Sequence, residues 1–286
     1  MEIIRTVEAM QRRSEQLRAS GSTLALVPTM GYFHEGHLEL MRVGRKRCHT
    51  LMVSIFVNPT QFGPGEDFES YPRDEKGDLA KADSVGVDIA FVPNTDEMYS
   101  AGSQTTVHVG KLTTHLCGRS RPGHFDGVTT VVSKLFHITK PHVAVFGQKD
   151  YQQLAVIRRM AEDMKMDIEI VGVAIVREPD GLAMSSRNSY LSAHEKRSAL
   201  SLRKSIELAA TMAKGGEKSA TRIKEAVEKL IRSHSDTVID YVAICDPHTL
   251  DEIDTLVGES LIALAVKVGK TRLIDNGLFG EPLSHG

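Results

Sequence analysis

The sequence lacks the features that would place it among membrane, secreted or metal-thiolate proteins. Its three cysteines, Cys48, Cys117 and Cys245, form no CxxC pair, which argues against a disulfide framework or a thiolate zinc site. The N-terminal segment 1–20 is amphipathic and charged, without the apolar core of a secretory signal. No apolar run approaches the length that crosses a bilayer. We therefore expect a cytoplasmic protein with no membrane partner.

A strong net charge is lacking as well. The 35 Lys and Arg residues and the 37 Asp and Glu residues leave a formal net charge of -2, so no bulk basicity draws the chain onto nucleic acid. A polyanionic ligand must therefore be held by a local cluster of positive charge. The chain does have 286 residues, 41% of them hydrophobic, which is enough for one large or two modest domains.

Apolar, β-rich segments alternate with helical patterns over the first part of the chain. The strands are predicted at 24–28, 50–57, 88–92, 142–146 and 167–173, and the helices at 36–48, 74–84, 126–139 and 151–164. Strands that are nearly free of polar residues and are each followed by a helix indicate a parallel sheet covered on both faces. We therefore predict a doubly wound, Rossmann-like α/β domain over residues 1–178. Ligands of such domains gather at the carboxyl ends of the strands.

The pattern changes in the last part of the chain. Two long helices are predicted at 193–214 and 219–233, and they are followed by strands at 238–245, 261–268 and 271–275. Gly269-Lys270 fits the tight turn of a hairpin between the last two strands. Helices followed by antiparallel strands predict a second, smaller α+β domain over residues 179–286.

The most informative motif is the tetrapeptide His34-Glu35-Gly36-His37, which opens a helix directly after the strand at 24–28. Imidazoles at a helix N-terminus donate hydrogen bonds to phosphate oxygens, beside free backbone N–H groups and the positive end of the dipole. Gly36 leaves room for a nucleotide against the helix. A zinc protease is excluded because its histidines stand at i and i+4. The alternative is a pair of surface histidines that cap a helix, and the position after a strand favours the phosphate site.

Two other segments offer groups for phosphate and metal. Met184–Arg187 supplies two hydroxyls and a guanidinium, which suit the β- and γ-phosphates, although a solvated loop has the same composition. In Gly147–Asp150, Lys149 suits a phosphate and Asp150 suits Mg²⁺. A helix N-cap is the alternative role of Asp150.

Neutral and basic groups complete the predicted site. Gln61, in a glycine-rich loop at 58–65, and Gln153 suit the recognition of hydroxyl and carboxylate groups. Arg121 lies in a segment at 117–128 that is punctuated by glycine and proline, and this composition favours a mobile basic loop near anions. We expect Asn58, Gln61, Arg121 and Gln153 to contact the substrates.

Several longer stretches resemble one protein family, in its order and spacing. They are VPTMGYFHEGH at 27–37, SIFVNPTQFGPGEDFESYPRD at 54–74, RPGHFDGVTTVVSKLF at 121–136, VFGQKDYQQL at 145–154 and REPDGLAMSSRNSYLS at 177–192. A strand, HxGH and a distal MSSR-like loop resemble the nucleotidyltransferase and class I synthetase superfamily, and the longer stretches resemble its pantothenate synthetases. Tyr32-Phe33 departs from the small or aliphatic pair of many relatives, which affects packing beside the motif. The rest of the chain after residue 192 carries weaker signatures.

The resemblance implies an ATP-dependent ligase that joins pantoate to β-alanine through a pantoyl adenylate, releasing AMP and pyrophosphate. It implies ATP as a substrate, Mg²⁺ and a homodimer. Its catalytic residues would be His34, His37, Lys149 and Arg187, with His37 as the proton donor. Its ATP site would be lined by Met30, Gly31, Tyr32, Phe33, His34, Glu35, Gly36, His37, Gly147, Gln148, Lys149, Asp150, Val176, Met184, Ser185, Ser186 and Arg187. Gln61 would touch both pantoate and β-alanine, and Gln153 would touch pantoate.

We also expect the segment 58–73 to close over the site and keep water from the activated acid. Two rival functions stay open on the sequence. A nucleotidylyltransferase that acts on a phosphorylated small molecule would keep the HxGH motif, but it has no evident use for Gln61 and Gln153. An RNA-binding module is disfavoured by the net charge, and by Ala183 and Ser186 where a KMSKS-type loop would carry lysines.

Overall fold

The computed structural model describes residues 1–280, and the chain separates into two compact units. The first unit comprises residues 1–110, 121–148 and 153–176. The second comprises residues 111–120, 149–152 and 177–280. Two short segments from earlier in the sequence therefore belong with the C-terminal part.

The first unit is built on a six-stranded parallel sheet in the order β1-β4-β3-β2-β5-β6. The strands are β1 (Glu2–Ile4), β2 (Leu24–Thr29), β3 (Thr50–Ile55), β4 (Ile89–Phe91), β5 (Val143–Gly147) and β6 (Glu169–Val173). From β2 the chain proceeds outward through β3 to β4, and it then returns to the other side of β2 for β5 and β6. The topological switch point therefore lies between β2 and β5, where open α/β sheets bind their ligands.

Helices cover both faces of this sheet. Within residues 1–280 the α-helices are α1 (Val7–Ala19), α2 (Glu35–Arg47), α3 (Glu75–Ser84), α4 (Thr95–Met98), α5 (Leu116–Ser120), α6 (His124–Thr139), α7 (Tyr151–Asp163), α8 (Ala193–Lys214) and α9 (Ala220–Arg232). Met41 of α2 and Ala82 of α3 share one buried cluster with Val27 and Val53. Leu26, which alternates onto the opposite face, is also fully buried. Among residues 1–280, no helix has both the length and the apolar character required to cross a membrane.

The second unit contains an antiparallel sheet in the order β7-β8-β9. Its strands are β7 (Thr237–Cys245), β8 (Ser260–Val268) and β9 (Thr271–Phe279). On one face, Leu264 of β8 packs in a buried cluster with Leu202 of α8 and Ile223 of α9. On the other face, Ala263 of β8 packs in a separate cluster with Leu116 of α5. The sheet is therefore covered on both faces within its own unit.

The predicted fold class, a parallel α/β sheet with a smaller α+β part, is confirmed. The strand at 24–28 is the second of the sheet, because β1 and α1 precede it. With only three residues, β1 gives no alternation that sequence reasoning can use. The strand predicted at 167–173 begins at Glu169, as β6, whereas β9 continues beyond residue 275 to Phe279. Asn276 and Gly277 are weak strand formers, and pairing with the buried β8 overrides their local preference.

Candidate active site

Three predicted site segments leave neighbouring strands of the parallel sheet. The histidine turn follows β2, the glycine-rich loop follows β3, and Gly147-Gln148 comes at the end of β5. Strand β2 pairs with both β3 and β5. Because all three strands are parallel, the segments begin side by side at the carboxyl edge. The first unit therefore gathers these segments at the switch point.

The turn before the two histidines is held in place by α3. The backbone N–H groups of Tyr32 and Phe33 each donate to the carboxylate of Asp78 at 2.6 Å. The ammonium of Lys81, one turn later on α3, donates to the carbonyl oxygen of Phe33 at 2.8 Å. Burial raises the pKa of Asp78, and its hydrogen bonds from the two N–H groups oppose that shift. An acid and a base on one helix face thus fix the backbone that leads into α2.

The same turn has an unusual backbone conformation. Gly31 has φ +82°, and a Cβ atom there would lie 2.9 Å from an oxygen of Asp78 and 3.2 Å from Ile55. Tyr32 has φ +54°, in the left-handed region that a non-glycine residue seldom adopts. Such a conformation persists only where its surroundings impose it. The hydrogen bond from the backbone N–H of Tyr32 to Asp78 supports this conformation.

The two histidines meet at the N-terminus of α2. His34 is the N-cap, and its backbone N–H donates to Nδ1 of His37 at 3.3 Å. The ring centroids lie 4.1 Å apart, and the ring of His37 also lies 5.4 Å from that of the buried Phe33. Because Nδ1 of His37 accepts a hydrogen bond, its neutral ring carries the proton on Nε2. His37 is therefore a donor at a helix end that favours anions. Glu35 is exposed and forms an ion pair with Arg42.

Gln61 is oriented by two other predicted residues. Its Oε1 accepts a hydrogen bond from Nδ2 of Asn58 at 3.1 Å, and its Nε2 donates to Sδ of Met30 at 3.2 Å. Asn58 is only 1% exposed, and its amide also donates to the carbonyl of Gly127 and accepts from the hydroxyl of Tyr99. The structure thus brings Met30, Asn58 and Gln61 together. The contact of Asn58 and Gln61 with substrate stays a prediction.

Arg121 is ion-paired with Glu66 in the structure. Its Nε and Nη2 donate to the two carboxylate oxygens of Glu66 at 2.6 Å each, and Nη2 also donates to the carbonyl of Gln61 at 3.2 Å. Nη1 of Arg121 lies 2.9 Å from Nε2 of His124, whose Nδ1 lies 2.7 Å from the same Gln61 carbonyl. Arg121 and His124 therefore fix the loop that carries Gln61. A direct contact of Arg121 with substrate stays a prediction.

Lys149 and Asp150 lie in a 3-10 turn after β5 and belong to the second unit. The Lys149 ammonium is 3.5 Å from the Asp150 carboxylate, which is about half exposed. Magnesium is usually held by one or two carboxylates together with substrate phosphates, so Asp150 suits an ion that arrives with ATP. Over residues 1–280, no cluster of three or more His, Cys, Asp or Glu side chains could hold a metal alone. The metal role of Asp150 stays a prediction.

The MSSR segment leads into a 3-10 turn, Ser186–Tyr190, where the sequence predicted only a loop. The hydroxyl of Ser185 caps this turn by accepting a hydrogen bond from the backbone N–H of Arg187 at 3.3 Å. Ser186 is buried, whereas Met184 and Arg187 are half-buried. The turn gives these residues a defined backbone, and their contact with phosphates stays a prediction.

Two adjacent glutamines at the start of α7 have different surroundings. Gln152 is 5% exposed, and its amide donates to the carbonyls of Leu112 and His115 and accepts from the N–H of Cys117. Gln153 is half-buried, as is Val176 after β6. Gln152 is therefore a structural residue, and the substrate roles of Gln153 and Val176 stay predictions.

Sequence reasoning missed the residues that hold the predicted site residues in position. Asp78 stands in the acidic run RDEKGDL, where nothing in the sequence distinguishes the one buried carboxylate from its exposed neighbours. Glu66 and Tyr99 gave no signal either, because their partners Arg121 and Asn58 are distant in sequence.

Comparisons with known proteins are consistent with one another. A family model described as pantoate-beta-alanine ligase matches residues 2–278. The pantothenate synthetase of Geobacter sulfurreducens is 55% identical over 281 residues, which is 98% of this chain and 99% of that protein. The pantothenate synthetase of Syntrophus aciditrophicus is 55% identical over 284 residues, 99% of each chain.

Solved structures agree with the sequence relatives. Pantothenate synthetase from Thermus thermophilus is 41% identical and superposes with a TM-score of 0.92, covering 97% of this chain and 99% of that one. The pantoate-beta-alanine ligase of Francisella tularensis is 30% identical with a TM-score of 0.81 and 97% coverage of both chains. The latter was solved in complex with beta-gamma ATP and β-alanine.

The role of Asp78 in holding the histidine turn is tested by Asp78→Asn. An amide has one acceptor oxygen, so one of the two backbone N–H groups at the turn loses its partner, which costs about 1–3 kcal/mol. We expect turnover to fall at least about tenfold, because displacement of a catalytic group by about 1 Å costs up to a hundredfold. Steady-state kinetics and urea unfolding measure the two effects. Asp83→Asn, an exposed change on the same helix, is the control and should leave both unchanged.

The Glu66–Arg121 pair predicts a pH dependence of stability. Burial raises the pKa of Glu66, but the hydrogen bonds and charge of Arg121 outweigh it and lower the pKa from 4.5 to about 2. Because the folded-state pKa is depressed, the carboxylate stabilises the fold above pH 4.5, and this is lost as pH falls towards 2. The wild type should have a higher free energy of unfolding than Glu66→Gln above pH 4.5. This difference should shrink as the pH falls from 4.5 towards 2. Urea titrations measure it, with exposed Glu69→Gln as control; a pH-independent difference contradicts the prediction.

Proposed function

Because the chain belongs to the pantoate–β-alanine ligase family and joins pantoate to β-alanine with ATP, we propose that it activates pantoate as a pantoyl adenylate. A carboxylate oxygen of pantoate attacks the α-phosphorus of ATP, and the bond from that phosphorus to pyrophosphate breaks. The amine nitrogen of β-alanine then attacks the acyl carbon and loses a proton. The bond from that carbon to the bridging oxygen breaks, and AMP departs with this oxygen, which came from the pantoate carboxylate. The observation that carries this proposal is the histidine turn at the N-terminus of α2, beside the switch point.

Activation is needed because a carboxylate resists attack by an amine. Its carbon is electron-rich, and oxide is a poor leaving group. The mixed anhydride removes both obstacles, since AMP leaves readily and the acyl carbon becomes electrophilic. Catalysis then consists mostly of positioning, which supplies about 7–11 kcal/mol, and of donors placed where negative charge develops.

The proposed donors to the phosphates are His34, His37, Lys149, Ser185, Ser186 and Arg187. His37 suits the role of proton donor, because its Nδ1 accepts from the backbone and its proton is on Nε2. Gln61, whose amide is held by Asn58 and Met30, is the proposed contact to pantoate and β-alanine. Gln153 is the proposed second contact to pantoate. The beta-gamma ATP and β-alanine bound by the Francisella relative support this choice of ligands.

Several finer features belong to the same proposal. ATP is proposed to react as its magnesium complex, with the half-exposed Asp150 carboxylate as the protein ligand. The segment 58–73 is proposed to exclude water from the anhydride when substrates are bound. The homodimer and the cytoplasmic location rest on the resemblance to the family and on its soluble substrates.

The role of His37 is tested by His37→Ala. Loss of one well-placed donor to a developing negative charge costs about 3–4 kcal/mol, so turnover should fall about a hundredfold or more. The protein should stay folded, because His37 is only half-buried. His108→Ala, an exposed histidine of the same unit, is the matched control and should keep full turnover. Near wild-type turnover of His37→Ala would rule out this assignment.

The reaction itself is tested by isotope exchange between pyrophosphate and ATP. An adenylate mechanism predicts exchange that requires pantoate and proceeds without β-alanine. Measurement of AMP formation across a panel of carboxylic acids and amines then defines the substrates. Exchange that requires a phosphorylated acceptor instead of pantoate would indicate a nucleotidylyltransferase and contradict the proposal.

A further inference from the structure

Strand β9 contacts the turn of Lys149 and the backbone that precedes the MSSR segment, and both the turn and the MSSR segment are proposed to handle ATP. Both segments belong to the second unit, together with β9. The contacts come from two adjacent residues, Asp275 and Asn276, which are 3% and 7% exposed. The sequence assigned neither of them a function.

Asp275 holds the backbone that leads into the MSSR segment. Its two carboxylate oxygens accept from Nη1 and Nη2 of Arg177 at 2.7 and 3.0 Å. Nη1 of Arg177 also donates to the carbonyl of Gly181 at 3.1 Å, and Arg177 forms a backbone bridge with Ala183. The guanidinium therefore closes the turn 177–183 directly before Met184.

Asn188 anchors the other end of the same segment. Its Nδ2 donates to the carboxylate of Glu178 at 2.7 Å and to the carbonyl of Ala183 at 3.1 Å. Asn188 is itself buried. Ser185–Arg187 thus lie between two fixed points, and one of these depends on Asp275 through Arg177.

Asn276 holds the backbone of the other segment. Its Nδ2 donates to the carbonyl oxygen of Lys149 at 2.8 Å. Asp275 stands opposite Leu264 of β8, on the face packed by α8 and α9, whereas Asn276 stands opposite Ala263, on the other face. Successive residues of a strand point to opposite faces. One dipeptide therefore fixes a different segment on each side of the sheet.

We infer that Asp275 and Asn276 are positioning residues for the phosphate-handling groups of this enzyme, an inference that rests on the proposed function. Neither residue needs to touch ATP, because each acts through a backbone segment that carries the donors. A buried ion pair such as Arg177–Asp275 contributes little net stability compared with apolar residues of similar size. Its value lies in the fixed geometry that it imposes.

The test is Asn276→Asp, which keeps the size of the side chain but replaces an N–H donor by an oxygen facing the Lys149 carbonyl. We expect the KM for ATP to rise at least about tenfold, and turnover in pantoate-dependent pyrophosphate exchange to fall by a similar factor. The KM for β-alanine in the complete reaction should stay unchanged. A merely structural defect would lower the active fraction without this selective change in KM.

Asp275→Asn is the second variant and should show the same pattern. Asp240→Asn is the matched control, because Asp240 pairs with Arg272 in the same sheet, and within residues 1–280 this pair forms no hydrogen bond with either segment. Thermal unfolding confirms that each variant is folded; if Asp275→Asn does not fold, Asn276→Asp decides. A folded Asn276→Asp with wild-type KM for ATP and wild-type turnover would overturn the inference. Absence of pantoate-dependent exchange in the wild type would instead contradict the proposed function.

Discussion

The buried carboxylate of Asp78 is the constraint on which the histidine turn depends. It binds two successive backbone N–H groups at the point where β2 ends and the chain turns into α2. The hydrogen bond from the Tyr32 N–H supports the left-handed conformation of that residue. The direction of α2, and with it the position of His34 and His37, follows from this turn. A chain with a net charge of -2 has no general attraction for ATP, so binding depends on the position and orientation of these few donors.

In both units, the residues proposed to contact ligands differ from the residues that hold them in position. The residues proposed to meet ligands, such as His37, Lys149 and Arg187, are half-buried. The residues that hold them in position are almost fully buried, and they are Asp78, Asn58, Asp275 and Asn276. A buried polar group is costly unless it is hydrogen-bonded, so each of these forms bonds that leave little freedom. Rigid supports of this kind give the segments that carry the proposed ligand contacts a defined backbone geometry.

The sequence predicted the parts of the molecule that repeat a local pattern. Buried strands such as β2 and β5 are short apolar runs, and the long helix α8 begins with a Ser192/Glu195 capping box. The residues proposed to contact ligands could also be recognised from the sequence, because each of the HxGH and MSSR motifs is one continuous stretch of residues. Whether the MSSR segment contacts phosphate stays a prediction, however clear its motif.

The supports could not be predicted, because their meaning depends on contacts distant in sequence. Asp78 lies 46 residues from Tyr32, and Asp275 lies 98 residues from Arg177. Arg121 is a further example: composition favoured a mobile basic loop near anions, and the sequence gives no sign that a distant carboxylate, Glu66, binds the guanidinium. The sequence alone does not distinguish a charged residue that contacts solvent from one that contacts a ligand or a buried partner.

The most direct test of the account follows the oxygen atoms of the acid. Pantoate labelled with oxygen-18 in its carboxylate is converted by the wild-type protein with ATP and β-alanine, and the products are analysed by mass spectrometry. Attack of the carboxylate on the α-phosphorus predicts one labelled oxygen in the AMP and none in the pyrophosphate. Label in inorganic phosphate, or unlabelled AMP beside newly formed pantothenate, would contradict the adenylate mechanism.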